Sequence, residues 1–105
     1  MKISDIQNEL GFKLLTGKIE EDREISGLYC SDLLSWVMAN AKNGNVWVTV
    51  QIHNNILAVA SLLELSCIVI PENIAVEESI LQKASGEGIP MFSTELATYD
   101  VFKKF

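Results

Sequence analysis

The sequence is poor in the residue types that build most catalytic and metal centres. It has one histidine, His53, and two cysteines, Cys30 and Cys67, among 105 residues. There is no HxxxH pair, no CxxC and no glycine-rich phosphate loop of the GxGxxG or GxxxxGK[ST] kind. A histidine-based metal site is therefore excluded, and a hydrolase built on His53 or Cys30 would lack a nucleophile elbow. We expect no catalytic residues, no metal and no cofactor.

Basic residues and long apolar runs are also scarce. Eight Lys and Arg face fourteen Asp and Glu, for a net charge of -6, and an acidic surface repels nucleic acid. The longest apolar stretch, Ile56 to Leu65, is interrupted by Ser61 and Glu64 and is shorter than the about 20 residues of a membrane span. The first residues lack the core of a signal peptide. We expect a soluble, cytoplasmic protein with neither nucleic acid nor membrane as partner.

The two cysteines are not expected to pair. Cys30 ends one predicted strand and Cys67 begins another, so in a parallel sheet they lie at opposite edges. A disulfide needs Cα atoms within about 7 Å. We predict two reduced thiols.

Residues 26–73 contain most of the strong hydrophobic patterns in the chain. They read strand, helix, strand, helix, strand, with Asn45–His53 at the centre, the pattern of parallel βαβ units. The fold class predicted is α/β, a single three-layer domain over residues 1–105 with a mainly parallel sheet of about five strands flanked by helices. Residues 1–11 form an N-terminal helical extension. Strands are predicted at 12–16, 24–29, 45–53, 67–70 and 89–93, and helices at 4–10, from 31 or 32 to 43, at 54–65, at 76–85 and from 94 onward.

Both faces of the third strand look buried, which is typical of the centre of a parallel sheet. One face carries Val46, Val48, Val50 and Ile52, and the other Trp47 and Thr49. The preceding helix has an apolar face made of Leu33, Leu34, Val37, Met38 and Ala41. Trp36 falls off that face, so it either covers the edge of the core or anchors an interface.

The helix at 54–65 is apolar around most of its circumference, so it needs cover on more than one side. We expect the sheet to cover one side and a second copy, related by two-fold symmetry, to cover the other. The candidate interface residues are Trp36, Val59, Leu62 and Leu63.

Polar residues follow the strands at the edge where parallel sheets bind ligands. The candidate ligand-binding residues are Ser31, Asn54, Asn55, Asn73, Ser93 and Thr94. The same residue types cap helices, so the pattern is compatible with caps alone or with a site for a nucleotide or anionic metabolite.

Three stretches carry a family resemblance: Ser31-Asp-Leu-Leu-Ser-Trp-Val-Met-Ala39, Val46-Trp-Val-Thr-Val50 with Ile56-Leu-Ala-Val-Ala-Ser-Leu62, and Gly88-Ile-Pro-Met-Phe-Ser-Thr94 followed by Leu96-Ala-Thr-Tyr99. Over roughly residues 12–105 the chain resembles a stand-alone form of the DRTGG domain family, which is related to the N-terminal domain of bacterial HPr kinase/phosphorylase. The resemblance implies a compact α/β module that is regulatory or promotes assembly and is not catalytic. Kinase activity is rejected, because the phosphate loop is absent and 105 residues leave no room for the kinase domain.

The chain departs from the family's signature at two places. His53-Asn54 stands where Asp-Arg is expected after the third strand, and Ile70-Pro71-Glu72-Asn73 stands where Thr-Gly-Gly is expected after the fourth. Loss of those glycines weakens the case for a phosphate cradle made of backbone. The leading hypothesis is a homodimeric regulatory or interaction domain in bacterial signalling or metabolic regulation, with a further, unidentified protein partner. The alternative is a sensor of a small anionic ligand.

Overall fold

The computed structural model describes the whole chain, Met1–Phe105, and contains five strands and five helices. The strands are β1 (Lys13–Leu14), β2 (Gly27–Cys30), β3 (Asn45–Val48), β4 (Cys67–Ile70) and β5 (Met91–Ser93). The helices are α1 (Ile3–Asn8), α2 (Leu34–Asn40), α3 (Asn55–Leu63), α4 (Glu78–Gly86) and α5 (Thr98–Lys104). None of the helices has the length and apolar content needed to cross a membrane.

The strands form one sheet in the order β1-β5-β4-β3-β2. Strands β2 to β5 are parallel, and β1 pairs antiparallel with β5, with Lys13 opposite Ser93. The prediction of a mainly parallel sheet of five strands is confirmed.

Two separate cores cover the two faces of this sheet. On one face Trp47, Ile68 and Met91 pack against α2, α3 and α4. On the other face Val46 and Val69 belong to a core that α1 and α5 complete with Ile3, Ile6 and Val101. The predicted three-layer architecture is confirmed, and the N-terminal helix forms part of the core.

Helix α3 is covered by its own domain on several sides. Each of α2, α3 and α4 connects two neighbouring parallel strands on the same face, so α3 lies in the middle of a layer of three helices. Ile56, Leu57, Val59 and Ala60 are all buried there. Most of the apolar circumference of this helix is therefore buried without a second copy, whereas Leu62 is 66% exposed, and an interface on α3 stays a prediction.

Strand β3 ends earlier than its hydrophobic pattern predicts. It stops at Val48, and Val50 and Ile52 are 37% and 36% exposed, so the prediction that they lie on a buried face is wrong. The Thr49 N–H still donates to the Val69 carbonyl of β4 at 3.2 Å, but the next residue leaves the sheet, because the Val50 N–H donates to Asp32 Oδ1 at 2.9 Å, beside the Thr49 hydroxyl, which donates to the same oxygen at 2.7 Å.

Helix α2 buries a narrower face than predicted. It begins at Leu34, after Leu33 in extended conformation, so the Leu33 side chain is exposed, as is Met38. Only Leu34, Val37 and Ala41 face the core. This narrow contact is expected of a helix at the edge of the layer, which has a neighbour on one side alone.

The starts of β2 and α5 also differ from the predicted ones, because the segments before them form hydrogen bonds with other parts of the chain. Residues before β2 bond to the N-terminus, with the Ile25 N–H donating to the Met1 carbonyl at 2.8 Å. Helix α5 begins at Thr98 because the carbonyls of Thr94 and Leu96 accept hydrogen bonds from the loop after β4. Thr94 is therefore in a loop and is not the first residue of the helix.

Both cysteines are free, as expected. Cys67 is fully buried in the core on the α1 and α5 face. This burial raises the pKa of the Cys67 thiol far above its ordinary value of 9.0, against a smaller lowering by the charge of Arg23.

The raised pKa of Cys67 predicts a loss of stability in base. Below the ordinary thiol pKa, Cys67 is protonated in both the folded and the unfolded chain. Above it the unfolded chain loses the proton while the folded chain keeps it, so the free energy of unfolding falls by about 1.4 kcal/mol per pH unit. Urea denaturation from about pH 8 to about pH 10.5 should show this slope in the wild type. In Cys67→Ala the slope should be smaller by that amount, and an unchanged slope would contradict the burial of the thiol.

Candidate functional site

Three of the six predicted ligand-binding residues meet in one cleft at the β1–β5 side of the sheet. Asn73, Ser93 and Thr94 line a cleft of about 410 Å³ that also contains two lysines. We call it the lysine cleft. Its full lining is Leu10, Gly11, Phe12, Lys13, Asn73, Ser93, Thr94, Glu95, Leu96 and Lys104.

The two lysines reach this cleft from opposite ends of the chain. Lys13 lies on β1, directly across the antiparallel pair from Ser93. Lys104 is in the last turn of α5. Neither lysine forms a salt bridge within the chain, whereas the adjacent Lys103 lies 3.7 Å from Asp100. No periodicity in the sequence indicates that the two lysines meet, because their meeting depends on the pairing of β1 and the docking of α5.

The loop after β4 has an unusual backbone. Glu72 and Asn73 both have positive φ, at 58° and 55°, a conformation that glycine adopts without cost and other residues do not. Their N–H groups donate to the carbonyls of Leu96 and Thr94 at 2.9 and 2.8 Å. The left-handed backbone is thus present without glycines, and its amides hold the β5–α5 loop, so they are not free for an anion.

Asn54 lines a different cleft. It shares a space of about 460 Å³ with His53 and Glu77, and the remaining lining is Val50, Gln51, Ile52, Ser79 and Ile80. Asn55 lies outside both clefts. Its N–H donates to His53 Nδ1 at 3.1 Å, at the start of α3.

Ser31 belongs to neither cleft. Its carbonyl accepts a hydrogen bond from the buried indole N–H of Trp47 at 2.9 Å, and its hydroxyl accepts one from the Leu33 N–H at 3.2 Å. These bonds give Ser31 a role in placing the start of α2. The six candidate ligand residues therefore do not form a single site.

Exposed apolar side chains gather where α2 begins. Leu33, Trp36, Val50 and Ile52, which we call the α2 patch, are all exposed, and Trp36 is 58% exposed. Asp32 connects the two segments, because it accepts the Val50 N–H and its carbonyl accepts from Gln51 Nε2 at 3.0 Å. Leu33, Val50 and Ile52 were not predicted as surface residues, because their spacing placed them on buried faces.

The other candidate interface residues lie in different environments. Val59 is 6% exposed and belongs to the core, so it cannot contact a partner in the folded domain. Leu63 is partly buried against the same core. Leu62 is 66% exposed. It lies near the C-terminal end of α3, whereas the α2 patch lies at the start of α2 and at the end of β3.

Both thiols in the chain have a raised pKa. Burial, and then the charge of Asp32, raises the pKa of Cys30, so its thiol stays protonated near neutral pH. No group of three or more His, Cys, Asp or Glu side chains is arranged to hold a metal ion.

A profile of the DRTGG domain matches residues 5–105. This chain belongs to the DRTGG domain family. The resemblance carried by residues 31–39, 46–62 and 88–99 is thereby confirmed. No curated protein sequence gives a match.

The fold is similar to that of a solved structure from Clostridium perfringens. That structure contains the CBS and DRTGG domains of the regulatory region of a pyrophosphatase, complexed with its activator, diadenosine tetraphosphate. The TM-score is 0.73 at 11% identity, and the match covers 96% of this chain and 44% of that chain. This chain thus spans less than half of its neighbour, and the likeness shows a shared fold.

The left-handed loop after β4 yields a test by substitution. Glu72→Gly should raise the free energy of unfolding by about 1 kcal/mol, because glycine removes the cost of a positive φ. Asn73→Gly should gain less, since asparagine tolerates this conformation better. The control is Glu87→Gly, at an ordinary φ of -94°, where no gain is expected. Urea denaturation measures all three, and a loss with Glu72→Gly would contradict the loop conformation.

Proposed function

We propose that this DRTGG domain is a non-catalytic regulatory domain that acts by binding a second copy of itself through the α2 patch. Family membership and the regulatory region of the similar pyrophosphatase structure support the regulatory part. The exposed α2 patch supports the contact and is the observation that carries the proposal.

The composition of the α2 patch resembles the centre of an interface. An exposed Trp beside three aliphatic side chains provides a large apolar area that gains free energy when it is removed from water. Isolated exposed apolar residues are common, but here the segment that carries Val50 and Ile52 is held by hydrogen bonds to Asp32, the residue next to Leu33. The surface is therefore positioned before any partner arrives.

The charge of the chain limits where a second copy can bind. Two copies that each carry -6 repel one another, so a contact between them needs an area without net negative charge. In the α2 patch the nearby carboxylate of Asp32 already accepts hydrogen bonds from Thr49 and Val50. Side chains without charge suit a two-fold contact, in which a residue on the symmetry axis faces the same residue of the second copy.

Substitution of the patch tests the proposed contact. Trp36→Glu and Leu33→Glu should weaken dimerisation at least about 30-fold, because each places a charge in a desolvated apolar contact. Both side chains are exposed, so the monomer should stay folded by circular dichroism. Sedimentation equilibrium over a range of concentrations measures the dissociation constant.

The matched controls are Tyr99→Glu, an exposed aromatic on the opposite layer, and Leu62→Glu, at the other end of α3. Neither should change the dissociation constant. A wild type that stays monomeric at high micromolar concentration would overturn the proposal. If Leu62→Glu abolished dimerisation and the two patch variants did not, the contact would lie at the end of α3 instead.

Salt should strengthen the dimer. Screening reduces the repulsion between two chains of charge -6, while the apolar contact itself is not weakened by salt. The dissociation constant should therefore fall as sodium chloride is raised at constant pH. A dissociation constant that rises with salt would indicate a contact held by ion pairs and would contradict an apolar α2 patch.

A small-ligand sensor is the second candidate function. The observation that favours it is the lysine cleft, which brings Asn73, Ser93 and Thr94 together with Lys13 and Lys104. The cleft lies on the β1–β5 side of the sheet, whereas the α2 patch lies on the β2–β3 side. Binding at one is thus compatible with binding at the other. Thermal-shift measurements separate the functions, because a ligand at 100 times its dissociation constant stabilises by about 2.7 kcal/mol.

A further inference from the structure

We infer that the lysine cleft binds the phosphate group of a small phosphate monoester of nucleotide size. This inference rests on the second candidate function, the ligand sensor, and names the chemistry of its ligand. It is independent of the α2 patch and of dimerisation.

Positive charge in this chain is scarce, and two of its eight Lys and Arg side chains have polar partners within the chain. Arg23 donates to the carbonyls of Leu65 and Glu64, and Lys103 is paired with Asp100. Lys13 and Lys104, in contrast, line the same cleft and have no salt-bridge partner. An anion that enters this cleft therefore meets two ammonium groups in an otherwise acidic protein.

Uncharged hydrogen-bond donors line the same cleft as the two lysines. Neither the Ser93 hydroxyl nor the Asn73 amide has a hydrogen-bond partner in the chain. The Thr94 hydroxyl accepts the Leu96 N–H at 3.2 Å and keeps its own proton to donate. Three side-chain donors and two ammonium groups can together satisfy the oxygens of a phosphate.

This site differs from a phosphate loop, because its donors are side chains. The amides of Glu72 and Asn73 are bonded to the β5–α5 loop, so they hold Ser93, Thr94 and Asn73 in one place without contacting a ligand. The loop after β4, which lacks the glycines of the family signature, thus still shapes the cleft.

The charge balance selects a monoester over a polyphosphate. Two lysines offset the two charges of a phosphate monoester, whereas Glu95, which also lines the cleft, opposes any further negative charge. The carboxylate of Glu95 instead accepts hydrogen bonds from a hydroxyl or amino group on the organic part of the ligand.

The size and lining of the cleft fit such an organic part. A volume of about 410 Å³ exceeds that of a bare phosphate and lies within the range of small-molecule sites. Leu10, Phe12 and Leu96 supply the apolar part of the lining. A ligand of nucleoside monophosphate size therefore fills the cleft.

An NMR titration of the ¹⁵N-labelled full chain tests this inference, with inorganic phosphate, AMP, ATP and adenosine as probes. AMP should shift the amides of residues 11–13, 73 and 93–96, inorganic phosphate should shift the same set more weakly, and ATP should bind less tightly than AMP. Adenosine without phosphate should have no effect. The double variant Lys13→Gln/Lys104→Gln should lose at least tenfold in AMP affinity, and Lys103→Gln should bind as the wild type does.

The inference is overturned if neither phosphate nor AMP shifts these amides up to about 10 mM. It is also overturned if adenosine binds as well as AMP, or if the double lysine variant keeps the wild-type affinity. Sedimentation of the same variants distinguishes the two proposals, because the lysine substitutions leave the α2 patch intact and should not alter dimerisation.

Discussion

Burial of β3 and β4 on both faces is the constraint on which the rest of this domain depends. Trp47 and Ile68 point into one core, and Val46 and Val69 point into the other. Strands buried in this way need helices on both sides. Helices α2, α3 and α4 cover the first face and α1 and α5 the second, so the middle helix, α3, has neighbours on every side except one.

The same constraint decides where the domain has surface to offer. Because α3 is covered by its own layer, the free apolar surface lies at the edge helix, α2, and in the loop that leaves β3. Asp32 fixes that loop with two hydrogen bonds, which stops β3 and exposes Val50 and Ile52. At the other edge the antiparallel strand β1 brings Lys13 beside Ser93 and closes the lysine cleft.

The order of the elements and the parallel sheet could be predicted from the sequence, because helical and strand periodicities are local, and the family could be recognised from the resemblance of residues 31–39, 46–62 and 88–99. The pattern of residues 54–65 correctly indicated a helix covered on several sides, but periodicity does not say what covers it. Val50 and Ile52 continue the alternation of β3, but the strand ends where the Val50 N–H donates to Asp32, a residue distant in sequence, in place of a neighbouring strand. Likewise, Asn73, Ser93 and Thr94 were predicted as ligand residues, whereas Lys13 and Lys104 were missed, since nothing local links two residues that meet through β1 and α5. The positive φ of Glu72 had no signal in its residue type.

The central claim is that self-association uses the edge helix, α2, and leaves the covered central helix, α3, unchanged. Hydrogen–deuterium exchange at protein concentrations above and below the dissociation constant of the dimer tests this claim most directly. The account predicts slower exchange at high concentration in residues 31–38 and 50–53, with no change in the protection of α3. Protection gained only at the end of α3 around Leu62, or the same exchange at every concentration, would contradict it.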